Sequence, residues 1–79
     1  MTEKIYRCRL HSPEIIYVNN ILEGHEGLGI IHTTDEKTGS VVFYTTSDTE
    51  HELAALLQSL QAEGVDIELL DVLEQSTLL

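Results

Sequence analysis

Four histidines and 14 carboxylates in 79 residues are the side chains best equipped for chemistry, because imidazole and carboxylate together suit zinc, nickel or manganese. Glu23-Gly24-His25-Glu26 is compact but sits in a glycine-flanked turn, and His51 lies between Glu50 and Glu52. Should those two segments meet at one end of the fold, His25, His51 and Glu50 form the candidate metal set. None of these residues has the regular spacing of a ligand pair, so solvated histidines beside acids are the plainer reading, and no cofactor is expected. His32 falls on an expected edge strand, where a polar residue guards against strand addition.

The nucleophiles read in the same way. Cys8, the only cysteine, alternates in phase with Tyr6 and Leu10 and is expected in the core with an inert thiol. One cysteine makes no intrachain disulfide, and a thiolate metal site would need ligands from another chain. Ser12 and Ser47 lack a histidine and an acid in any nucleophile motif and read as helix caps. Gly24, Gly27 and Gly29 have the spacing of neither a dinucleotide fingerprint nor a phosphate loop. No catalytic constellation emerges, and a non-enzyme is expected.

Charge narrows the partners. Fourteen Asp and Glu against four Lys and Arg give −10, and three of the bases, Lys4, Arg7 and Arg9, fall close together. Residues 38–79 hold eight acids and no base, so they carry −8 and the first 37 residues −2. Such a chain repels a phosphate backbone, which excludes nucleic acid as an expected partner. No apolar run approaches the roughly 20 residues that span a bilayer, and Met1-Thr2-Glu3-Lys4 opens no signal-like apolar block. The expectation is a cytoplasmic protein with no membrane partner. An acidic surface also attracts basic proteins, so an acidic adaptor is the alternative function, although solubility accounts for the same charge.

These residues must be positioned by one small domain, residues 1–79, since 42% apolar side chains in this length build a single core. Lys4 to His11 alternates, with Tyr6, Cys8 and Leu10 on one face and Ile5, Arg7, Arg9 and His11 on the other, the period of a half-buried strand. Ser12-Pro13-Glu14 has helix-start chemistry, and Ile15, Val18, Ile21 and Leu22 continue a helix from about Pro13 to Glu23. Leu28–Thr34 and Ser40–Thr46 are β-branched and aromatic, and Asp35 to Gly39 between them makes a hairpin turn. Ser47-Asp48-Thr49-Glu50 fits a capping box, with Thr49 to Glu52 a competing frame. Leu53, Leu56, Leu57 and Leu60 then mark a second helix that Gly64 ends. Val65, Ile67 and Leu69 alternate as a fourth strand. The core is expected over about 4–72, with 73–79 a tail whose end, Ser76-Thr77-Leu78-Leu79, frays.

The order strand, helix, strand, strand, helix, strand is the split βαβ, or ferredoxin-like, α+β arrangement. Right-handed crossovers give a four-stranded antiparallel sheet in order 4-1-3-2 with both helices on one face. Strands one and four become neighbours, which sets Arg7 and Arg9 opposite Asp66 and Glu68. The helix-free face holds Ile5 and Leu70, joined by Tyr44 or Val42, and an apolar face open to water generally serves an interface. Ile5, Arg7, Arg9 and Leu70 are therefore the candidate interface, and a homodimer, formed through sheet edges or through this open face, is the expected assembly.

From about Ile5 to Val72 this order and spacing resemble ACT-type ligand-binding domains, ferredoxin-like modules that often bind amino acids where two copies pair. The turn from the first strand into the first helix carries a Pro-Gly pair in that family, and Pro13-Glu14 stands at the matching positions here. The resemblance implies pairing, a regulatory small-molecule ligand, and a ligand site at His11, Ser12, Pro13 and Glu14. The chain is also similar to an uncharacterised family of short stand-alone bacterial proteins, which implies no activity.

Overall fold

The computed structural model describes residues 2–25 and 27–76. Its elements are β1 (Thr2–Leu10), a 3-10 turn (Ser12–Glu14), α1 (Ile15–Glu23), β2 (Ile30–Asp35), β3 (Ser40–Thr46), α2 (Glu50–Ala62) and β4 (Ile67–Ser76). All neighbours pair antiparallel, and the order β2-β3-β1-β4 is the expected 4-1-3-2 read from the other edge.

Alternation in the strands and helical spacing converge on one core. Tyr6, Cys8 and Leu10 of β1 and Val41 and Phe43 of β3 meet Val18 and Leu22 of α1 and Leu53, Leu57 and Leu60 of α2 in a single buried cluster. Phe43 and Leu53 are fully enclosed. Among the described residues no helix is long and apolar enough to cross a membrane.

Both expected serine caps are replaced. The 3-10 turn precedes α1, and Ser12 Oγ donates outward to the Glu36 carbonyl of the β2–β3 turn at 2.6 Å, while the backbone N–H of Glu14 bonds the His11 carbonyl. Ser47 Oγ accepts the Thr2 N–H at 3.3 Å, tying the start of β1 to the end of β3. Helix α2 starts in the later frame, after Thr49, and lacks a side-chain cap because the Thr49 hydroxyl is engaged by Thr45 and Thr46. Its other end follows the expected glycine stop: Gly64 N–H bonds the Gln61 carbonyl and Val65 N–H the Leu60 carbonyl, a Schellman closure that places Val65 in the helix exit and not in the strand.

Strand β4 runs further than the alternation suggests, through Ser76, so residues 73–76 belong to the sheet; Thr77-Leu78-Leu79 lie outside the described residues. A bulge causes the difference. Cys8 faces Leu69, but Arg7 faces Asp71, leaving Leu70 as the extra residue. That shift also corrects the expected charge register: Arg9 does lie opposite Glu68, whereas Arg7 meets Asp71. Asp66 pairs with neither arginine; its carbonyl accepts the His11 N–H at 3.3 Å.

Candidate functional site

The helix-free sheet face is built by residues of one parity. Ile5 of β1 faces Tyr44 of β3 and Leu73 of β4; Tyr44 in turn faces Ile30 of β2, and Arg7 faces Val42. Leu70, pushed out by the bulge, shares a hollow with Arg7, Thr34 and Val42 on this side. Ile30 is 69% exposed, and Tyr44, Leu70 and Leu73 are each 43–45% exposed. Val42 is buried yet stands outside the core cluster, shielded by its open-face neighbours.

Charges cross this apolar patch as internal pairs. Arg7 Nε donates to Asp71 Oδ1 at 2.6 Å and Nη2 donates to Oδ2, a two-pronged contact. That hydrogen bonding holds the Asp71 carboxyl below its ordinary range and pushes the Arg7 guanidinium further up. Arg9 Nη1 reaches Glu68 at 3.3 Å. With Glu3 added by register, the face carries two cations against three anions.

At one corner the face deepens into a groove of about 610 Å³. Ile30 and Tyr44 wall it, Glu3 and Thr46 stand at its β1–β3 side, and Leu28, Thr45 and Thr49 line its floor. A side chain at Gly29 would place its Cβ 2.7 Å from the Tyr44 carbonyl, so the backbone of the loop before β2 lies directly on β3 there. The buried Thr45 hydroxyl donates to the Leu28 carbonyl at 2.9 Å and lies 2.7 Å from Thr49 Oγ1, which is 3.2 Å from Thr46 Oγ1.

The residues singled out in the sequence separate. Ile5, Arg7, Arg9 and Leu70 do share the open face. His11, Ser12, Pro13 and Glu14 lie at the other end of β1 from the groove. Ser12 and Pro13 border a smaller hollow of about 360 Å³ with Glu36. Glu14 Oε1 accepts the Asp66 N–H at 3.4 Å, which spends that carboxylate on the backbone. The proposed metal set is not assembled: His25 lines a cleft with Glu52 and Leu56, whereas Glu50 accepts the Tyr6 hydroxyl at 3.0 Å and lies 3.7 Å from Lys4 Nζ. Among the described residues no three of His, Cys, Asp or Glu group closely enough to hold a metal ion. Cys8 is buried, and burial pushes its thiol up to about 11. Ile30, Leu73 and the Thr45, Thr46 and Thr49 cluster were not set apart by the sequence pattern. Three threonines in five residues were the available signal, but they read as strand and cap.

A family described as a domain of unknown function (DUF4911) matches residues 8–63, and the chain belongs to that family. No curated protein and no solved structure matches it.

Proposed function

We propose that this member of the DUF4911 family is a non-catalytic module that works as a pair, two copies meeting through their helix-free sheet faces. The observation that carries the reading is the apolar patch of Ile5, Ile30, Tyr44, Leu70 and Leu73 on the one sheet side no helix covers. A stable interface takes about 800 Å² from each partner, roughly a sixth of the 5176 Å² surface of this chain. Four strands at about 4.8 Å and seven-residue ladders at about 3.4 Å outline roughly 450 Å² before side-chain relief is added, the right order for that demand.

A second copy is the occupant that suits the charge. Each chain carries −10, yet this face has only one anion in excess, so nearly all the repulsive charge lies elsewhere. The Arg7–Asp71 and Arg9–Glu68 pairs are already formed within the chain, so covering them leaves neither arginine without its partner. The ACT-like element order supports the same tendency to pair.

Sedimentation of the wild-type chain at micromolar concentration tests this, with Leu73→Arg as the variant. Leu73 is half exposed, so the substitution leaves the core intact, and unchanged circular dichroism will verify that. A concentration-dependent dimer that Leu73→Arg converts to monomer is expected. A wild-type monomer across that range, or a dimer indifferent to Leu73→Arg, contradicts the reading.

A further inference from the structure

We propose that the corner groove binds a small organic amine, a protonated nitrogen carried on a compact apolar or aromatic body. Its volume of about 610 Å³ lies within the roughly 300–1,000 Å³ of small-molecule sites, and Leu28, Ile30 and the Tyr44 ring give it apolar walls.

The sign of the ligand follows from proton accounting. A hydroxyl has one proton to give, and Thr45 spends its proton on the Leu28 carbonyl. At 2.7 Å, therefore, Thr49 must donate to Thr45, and its own proton is then used. Thr46 must in turn donate to Thr49. Protons run inward from Thr46 to Thr49 to Thr45, which leaves the Thr46 oxygen at the start of the chain as an acceptor. Across the β1–β3 ladder from it stands Glu3, a carboxylate on the same side of the sheet. No Lys, Arg or His is among the described residues that line the groove. A ligand that donates hydrogen bonds and carries positive charge satisfies both oxygens, and the Tyr44 ring adds an attractive face for a cation. An anionic ligand would meet Glu3 with no compensating base. The groove is complete within one chain, but Ile30 and Tyr44 also belong to the pairing face, so the amine and a second copy exclude each other there, and the titrations are made at low ionic strength on the monomeric chain.

Titration calorimetry with two probes of similar size and opposite charge, 2-phenylethylamine and 3-phenylpropionate, decides it. The amine is expected to saturate and the acid to bind at least about ten-fold more weakly. Glu3→Gln should weaken the amine about three-fold or more. Glu36→Gln, which removes an equal charge near the opposite end of the sheet, should leave its affinity unchanged. Glu3 is exposed, and an unaltered melting temperature will show that the variant is folded. Thr46→Val gives a second reading, since it removes the acceptor and keeps the shape; it too should weaken the amine. Absence of saturable amine binding, equal binding of the two probes, or equal losses in Glu3→Gln and Glu36→Gln would overturn the proposal, the last by reducing the effect to diffuse attraction.

Discussion

Cys8 and Tyr6 face the helices from the same strand, and water is withheld from both. Burial lifts the Cys8 thiol from 9.0 to about 11; burial first, and then the hydrogen bond to Glu50, lift the Tyr6 phenol. Between pH 9 and 11 an unfolded chain therefore sheds a thiol proton that the folded chain keeps. Stability is complete below that window and falls as pH rises through it. Tyr6 adds a loss of the same sign that begins at its ordinary value of 10.0, in the upper half of that window. Melting temperature recorded against pH should decline across the window, and Cys8→Ala should flatten the decline; an identical slope in the variant refutes the assignment to Cys8. The place of Cys8 was legible because alternation with Tyr6 and Leu10 sets its face. The Tyr6–Glu50 contact was not, since 44 residues separate its partners and only the returned helix α2 brings them together.

Periodicity made the elements legible where pairing is regular and hid them where it slips. Ile67 and Leu69 point to the helices, then the bulge at Leu70 inserts one residue, and Val72 resumes the inward position with the opposite parity. Val72 and Leu73 therefore look patternless, although both lie within β4. Deleting Leu70 should restore one unbroken alternation with Asp71 still opposite Arg7, so the variant is expected to melt cooperatively with a modest loss of stability. Deleting Val42 from the regular β1–β3 ladder instead turns Phe43 out of the core and should abolish the transition. Parallel melts of the two deletions decide the matter, and comparable damage from both argues against a dispensable bulge. The β2–β3 turn makes a sharper demand. Gly39 has φ +76°, and a Cβ there would lie 1.8 Å from the Leu10 carbonyl oxygen. Gly39→Ala should cost more than the about 1–2 kcal/mol of a left-handed alanine alone, measured by denaturant unfolding.

For the molecule as a whole, strand order followed from element order, and one face of β1 announced Ile5, Arg7 and Arg9 as the open side. The corner groove is not legible in the sequence because Gly29, Tyr44 and Thr46 converge only when β2, β3 and β1 lie in register. Net charge then gives the pairing reading its most discriminating consequence. Two copies at −10 each repel at long range, while the faces that meet are nearly neutral and apolar. Salt that shortens the screening length from about 30 Å to about 8 Å weakens the repulsion and leaves apolar burial largely intact. Self-association should therefore tighten as ionic strength rises over that interval, read as a falling dimer dissociation constant in sedimentation equilibrium. An acidic adaptor holding a basic protein would behave in the opposite way, its affinity dropping as the attraction is screened. A dimer that loosens with salt would place attractive charge, and not the patch around Tyr44 and Leu73, at the centre of the contact. Leu73→Arg combined with the salt series separates the two, because a dimer held by the apolar patch is lost in the variant at every ionic strength.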